Sequence, residues 1–249
     1  MRNPNRQTSF HFRRFSVSNV RSAMKISTDA VMLGAWAFEE DDIYTPRIRV
    51  LDVGCGTGIL SLMIAQRFPN AEITALDIDK DAITESIENF VASPWQSRLR
   101  AIQADFINAA NQWNSGSFDR IISNPPYFQN GMMAHDNARR LARHNNSLPL
   151  ADLFAISARL LTPNGRIAVI LPSDVASDAK FAAGIASFEP IRECLFSANT
   201  SKPPKRILME FAKDSLGVSK CERISIKDTS GLTSIRYKQL VSPFYIQDL

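Results

Sequence analysis

Four short stretches carry residues whose types and spacing suit chemistry. The most informative is Asn124-Pro125-Pro126-Tyr127, directly after the apolar pair Ile121-Ile122. Two successive prolines fix φ and remove two backbone donors, and the residue before each is pushed to extended geometry. The tetrapeptide is therefore a stiff corner whose carbonyls and Asn124 side-chain oxygen are acceptors with few local donors. An amino group offers two protons and needs two acceptors held apart, which this corner supplies. Tyr127 adds a flat apolar face, so the ligand class is a planar amine, amide or nucleobase. Taken alone, the same four residues read equally well as a proline turn closing a strand.

The second stretch is Asp52-Val53-Gly54-Cys55-Gly56-Thr57-Gly58. Glycines let a backbone turn tightly and approach a ligand closely. The spacing is G-x-G-x-G and not the dinucleotide G-x-G-x-x-G. An acid just before the loop is unhelpful to a pyrophosphate and suits a cofactor bearing an amino group. The third is Asp77, about twenty residues past the glycines, where a carboxylate accepts from ribose hydroxyls. The fourth is Asp105-Phe106. Asp105 suits an adenine amino group, with Phe106 and Ile78 beside the ring, and it equally suits a helix cap.

The elements that must position these residues are legible from apolar runs and breakers. Ile48–Val53 reads as a buried strand, Ile59–Phe68 as a helix with Ile59, Leu60, Met63 and Ile64 inward. Ala71–Leu76 is a second strand. Asp79 caps a helix with Ile83, Ile87 and Phe90 inward, ended by Pro94. Leu99–Gln103 and Phe118–Ser123 are further strands, with Asn108–Ser117 a polar linker between them. All four stretches thus lie at the carboxyl ends of successive strands, the edge where open α/β sheets bind ligands. Phe128–Ser147 is a long polar insert with Arg139, Arg140, Arg143 and His144, read as a lid, a substrate contact or a solvated helix. Leu150–Leu161 is a helix, Arg166–Leu171 a strand, and Ser173 or Asp174 caps a helix through Ala186. Glu189–Ser197, Arg206–Lys213 and the short Ile224–Ile226 close the strand set. The tail with Tyr237, Leu240, Phe244 and Tyr245 is expected to pack. At the N-terminus, Phe10–Val20 reads as a small hairpin, and Ser27, Thr28 or Asp29 caps a helix running from near Ala30 to near Glu40.

Composition bounds the remaining possibilities. The chain has 249 residues, 45% hydrophobic and 22% charged, an ordinary globular balance. No apolar run is long enough to span a membrane. Three widely spaced cysteines, Cys55, Cys194 and Cys221, argue against a disulfide framework and a zinc site. No metal is expected, and a cytoplasmic setting is. The net charge is +4, and Arg2, Arg6, Arg13, Arg14, Arg21 and Lys25 all precede the first acid, Asp29. A basic surface attracts polyanions. An organelle transit peptide shares that composition, but the aromatic alternation of Phe10, Phe12 and Phe15 speaks against an amphipathic helix. Whether Arg13, Arg14, Arg139, Arg140, Arg143, Lys202, Lys205 and Arg206 contact a polyanion stays open. We expect an N-terminal extension over 1–45 and a main domain over 46–249.

Asp52–Gly58 with Asp77, Asp105 and Asn124–Tyr127 resembles the class I S-adenosylmethionine-dependent methyltransferases that modify amino nitrogens. Ala23-Met24-Lys25-Ile26-Ser27-Thr28-Asp29, Leu33-Gly34-Ala35-Trp36 and Phe244-Tyr245 narrow the resemblance to the bacterial tRNA1(Val) (adenine(37)-N6)-methyltransferase family, over about Phe10 to Tyr245. One departure is Thr28-Asp29-Ala30, where that family has Thr-Asp-Gly. The resemblance implies a Rossmann-like α/β fold: a seven-stranded, mostly parallel sheet, helices on both faces and one reversed strand near the edge. It implies S-adenosyl-L-methionine as cofactor. Gly54, Gly56 and Gly58 would approach its methionine part, Asp52 its amino group, Asp77 the ribose, and Asp105 the adenine amine, with Ile78, Phe106 and Asn124 alongside. Lys25 and Thr28 belong to the segment that covers the cofactor. Asn124, Pro125, Pro126 and Tyr127 would hold an anticodon-loop adenine of tRNA. A monomer with no protein partner is expected. The rival activities are a protein-glutamine methyltransferase acting on release factors, a DNA or rRNA amino-methyltransferase, and a non-catalytic RNA-binding protein with a relic pocket.

Overall fold

The structure is a computed structural model that describes residues 9–22, 25–39, 41, 47–125, 148–213 and 219–246. Pro126, Tyr127 and the insert through 147 lie outside the described residues.

Eight strands of one sheet are described: β3 (Ile48–Val53), β4 (Ala71–Asp77), β5 (Leu99–Gln103), β6 (Phe118–Ser123), β7 (Leu161–Pro172), β8 (Phe188–Asn199), β9 (Arg206–Lys213) and β10 (Lys220–Lys227). A separate hairpin, β1 (Ser9–His11) and β2 (Ser16–Ser18), precedes them. The sheet order is β10-β8-β9-β7-β6-β3-β4-β5, and β9 alone runs against its neighbours β7 and β8. This corrects the expected seven strands to eight. The extra one is β10, the segment read as a short strand, which is eight residues long and pairs in parallel with β8 at the edge.

Strand alternation sorts the core into two layers. In β3, Ile48 and Val50 join the cluster under α1 (Thr28–Trp36), α2 (Ile59–Arg67) and α3 (Lys80–Val91). Leu51 and Val53 join the opposite cluster, under α4 (Phe106–Ala110), α5 (Leu150–Leu160) and α6 (Ala176–Ile185). Asp52 shares the parity of Val50 and faces α2. The linker expected at Asn108–Ser117 instead begins inside α4, because Asp105 caps a short turn there. α1 ends at Trp36, short of Glu40.

The tail packs, as expected, through α7 (Ile235–Val241). Phe12 bridges Tyr245, and rings of Phe10, Phe12, Phe15, Trp95 and Tyr245 form one aromatic cluster. Arg13 is part of this packing: its backbone N–H donates to the Phe244 carbonyl and its guanidinium to the Tyr245 carbonyl. An ion network joins the turn after α1 to β8, β9, β10 and α7. Arg192 pairs with Glu39 and with fully buried Glu210, and Arg236 pairs with Glu39 and Glu222.

Candidate active site

β4 and β5 extend the sheet to one side of β3, and the chain then returns to lay β6 on its other side. This is the switch point at which open α/β sheets bind ligands, outside the carboxyl ends of the strands. Val53 pairs in register with Leu76 on β4 and with Ser123 on β6. Gly54 and Asn124 each follow by one residue, on adjacent strands about 4.8 Å apart. The Ser123 hydroxyl donates to the Val53 carbonyl at 2.8 Å and ties the two strand ends together. Asn124 is half-buried and Pro125 is buried, so the corner starts against the protein and not in solvent.

The glycine loop has a backbone that explains its spacing. Gly54, Gly56 and Gly58 have φ of 73°, 54° and 79°, the left-handed region that side chains disfavour. The N–H groups of Gly54 and Cys55 both donate to the Leu76 carbonyl, at 2.9 and 3.0 Å. Gly56 N–H donates to the Asp77 carboxylate at 2.9 Å, and the other Asp77 oxygen accepts from Asp79 N–H at 3.0 Å. Burial raises the Asp77 pKa from its ordinary value. Each of its oxygens keeps a second lone pair for a ligand hydroxyl.

Asp52 is 0% exposed. One of its oxygens accepts from Ser61 N–H at 3.1 Å and the Ser61 hydroxyl at 2.7 Å; the other is buried without a hydrogen-bond partner. Burial pushes its carboxyl up to about 7. Orphaned buried acceptors are rare and mark a place for a donor. In front of Gly54, nothing lies within 4 Å of where a Cβ would stand. The open space at Gly54 and, two residues before it, a buried acceptor without a donor fit a ligand that carries an amino group.

Other expected residues are placed differently. Asp105 spends one oxygen capping α4, accepting from Asn108 N–H at 3.0 Å, and sits beyond Gln103, the register partner of Asp77. Phe106 turns into the core at 4% exposure, whereas Ile78 is 45% exposed. Lys25 does not offer its ammonium to a ligand either. Its three protons go to the carbonyls of Asn19, Val20 and Ser22, at 2.8, 3.3 and 2.8 Å. Thr28 is the exposed first residue of α1, and the cap is Ser27.

On the inward face of α3, Ile83 and Phe90 are buried as expected, and the polar part was missed. Ile87, expected inside, is 45% exposed, while Glu85, Ser86 and Asn89 are buried. Glu85 accepts from the N–H groups of Val20, Arg21 and Ser22 and from the Ser18 hydroxyl. Burial pushes its pKa up, but the backbone donors outweigh that and hold it below the ordinary glutamate value. A buried Glu at an inward helical position was the available signal.

A Rossmann-like sheet with an acid-flanked glycine cradle at its switch point, beside the Asn124-Pro125 corner, defines a class I S-adenosylmethionine-dependent methyltransferase. The chain matches the Methyltransferase small domain family over residues 37–191. It is 37% identical over 245 residues to the tRNA1(Val) (adenine(37)-N6)-methyltransferase of Aeromonas hydrophila, covering 97% of this chain and 99% of the relative. The protein of that name from Bacteroides fragilis is 40% identical over 205 residues, covering 82% and 84%. The chain belongs to the tRNA1(Val) (adenine(37)-N6)-methyltransferase family. Among solved structures, a predicted O-methyltransferase of Agrobacterium tumefaciens superposes with a TM-score of 0.68 at 17% identity, covering 86% of this chain and 96% of the other. A 16S rRNA N2 G1207 methyltransferase of T. thermophilus, in complex with AdoMet and guanosine, gives 0.58 at 18%, covering 85% and 52%. At such identities these two show the shared fold.

Proposed function

We propose that the protein transfers a methyl group from S-adenosylmethionine to N6 of an adenine in tRNA, in the anticodon loop at position 37 of tRNA1(Val). The observation that carries this reading is the register of β3 with β6, which sets Asn124 beside Gly54. S-adenosylmethionine supplies an electrophilic methyl group when bound. Gly54, Gly56 and Gly58 leave room for its methionine part, the orphaned Asp52 oxygen takes its amino group, and Asp77 takes its ribose hydroxyls. Asp105 and Ile78 attend the adenine.

The Asn124 side-chain oxygen and the Pro125 carbonyl accept the two protons of the target amino group, and Tyr127 supplies the stacking face. The base leaves its stack, or is already splayed in a loop, to reach them. No strong general base is needed, because the nitrogen's proton becomes acidic only after transfer. The rate comes from proximity and alignment. Lys202 and Lys205, exposed on the loop joining β8 to β9, lie at the same edge of the sheet and suit phosphate contacts. Arg206, the first residue of β9, is engaged by Asp29 at 2.6 Å. The protein acts as a monomer in this reading.

Labelled S-adenosylmethionine offered with bulk tRNA, rRNA, DNA and release factor tests the substrate class. Label is expected in tRNA; label in release factor or rRNA instead would replace this reading. Mass spectrometry of tRNA from cells with and without the gene locates the nucleotide.

A further inference from the structure

Residues 18–22 are held by side chains whose arrangement serves no purpose in a simple core. The N–H groups of Val20, Arg21 and Ser22 point to one charge and the carbonyls of Asn19, Val20 and Ser22 to the opposite one. Glu85, 0% exposed on α3, takes the N–H groups of Arg21 and Ser22 at 3.0 and 2.9 Å and that of Val20. Lys25 takes the carbonyls of Asn19, Val20 and Ser22. Asn89, also on α3, pairs with Ser18 as a neighbouring strand would. Its side-chain oxygen accepts from Ser18 N–H at 2.7 Å and its amide donates to the Ser18 carbonyl at 3.1 Å. The same amide donates to the carbonyl of Thr57, inside the glycine loop, at 2.9 Å. Ser22 then abuts that loop: a Cβ on Gly56 would stand 3.7 Å from its hydroxyl oxygen. Further on, Asp29 is bonded to Arg206 at the start of β9. Residues 18–22 are therefore anchored at the glycine loop, and α1, which follows them, at β9.

We propose that Glu85, Asn89 and Lys25 are positioning residues that clamp 18–22 against the glycine loop, and that cofactor affinity depends on this clamp. The proposal rests on the methyltransferase reading and assigns to α3 and Lys25 a role exerted through the backbone of 18–22. The clamp couples the two partners at one atom group, the Asn89 amide, which holds Ser18 and Thr57 together. Loosening it frees the wall beside Gly56 without touching the Asn124 corner. The cost therefore falls on cofactor binding and spares both tRNA binding and the transfer step.

The test compares full-length wild type with Glu85→Gln and Asn89→Ala, with the exposed Glu72→Gln as control. S-adenosylmethionine affinity is measured by calorimetry, KM for each substrate and kcat by methyl incorporation, and amide exchange at Val20, Arg21 and Ser22 by mass spectrometry. Loss of a charge-assisted bond predicts a rise of about tenfold in Kd and KM for S-adenosylmethionine in Glu85→Gln, with kcat and tRNA KM within about twofold. Amide protection at 20–22 should fall, and saturating cofactor should restore it. Asn89→Ala, which removes no charge, should move the same quantities and carries the test if Glu85→Gln does not fold. The proposal is overturned if protection is lost while cofactor affinity stays unchanged, or if tRNA KM and kcat worsen along with cofactor KM. Wild type that binds no S-adenosylmethionine would sink the methyltransferase reading itself and leave the clamp without a function.

Discussion

At the scale of single residues, Asp52 is the strained member of the site. Its carboxyl is buried, half-satisfied and pushed up to about 7, so the folded protein holds a proton there that the unfolded chain has lost. The sign follows from linkage: the stability belonging to this group is complete below the unfolded value of about 4 and drains away as pH rises to about 7. Asp52→Asn should remove that slope, raising stability at pH 8 by roughly 2–4 kcal/mol relative to wild type while weakening cofactor binding. Denaturant unfolding at pH 5 and pH 8 checks it; an unchanged slope would show that Asp52 is ionised in the folded state. The positions of Asp52, Asp77 and Asn124 at or beside the carboxyl ends of β3, β4 and β6 were legible from residue type and spacing. The duties of Lys25 and Phe106 were not, because a side chain's direction depends on what stands beside it in three dimensions. Lys25 found three carbonyls within reach, and Phe106 found a core.

At the scale of elements, the glycine loop gives a graded prediction. A Cβ on Gly58 would stand 2.4 Å from Cε1 of Phe90, itself buried, and the residue's φ is 79°. Strain and overpacking then add, so Gly58→Ala should cost about 2–4 kcal/mol. Gly54 has only the strain, and Gly54→Ala should cost about 1–2 kcal/mol while filling the open cradle and impairing cofactor binding. Thermal unfolding with and without cofactor separates the two. Strand and helix positions were readable in the sequence because β3, β4 and β6 are buried on both faces between sharp breakers. The polar part of the inward face of α3 was missed because apolar periodicity favours Ile87, whereas the space beneath this helix is taken by backbone needing acceptors, which Glu85 and Asn89 provide.

At the scale of the whole molecule, the sheet brings Gly54, Asp77, Asp105 and Asn124 to one edge and carries lysines along it. Lys202 and Lys205 stand beyond β8, two or three strand spacings from Asn124, about 10–15 Å at 4.8 Å per strand. In the proposed function, phosphates held at that span would belong to the same stem-loop as the target base. Lys202→Glu with Lys205→Glu should raise tRNA Kd and lower the salt dependence of binding by about one to two counterions, leaving cofactor affinity alone. An unaltered salt slope would place the RNA elsewhere. The eighth strand and the closing helix α7 were the least legible parts. They are fixed by the network of Glu39, Arg192, Glu210, Glu222 and Arg236, whose members lie up to 197 positions apart in the chain. No local pattern encodes such pairing.

The most direct measurement is methyl incorporation into tRNA by wild type and Asn124→Ala at saturating S-adenosylmethionine, with tRNA and cofactor affinities measured alongside. Losing one of two acceptors misaligns the amino group, and kcat should fall by about 100-fold or more with both affinities nearly unchanged. A variant that methylates at the wild-type rate would mean that this corner does not hold the reacting nitrogen.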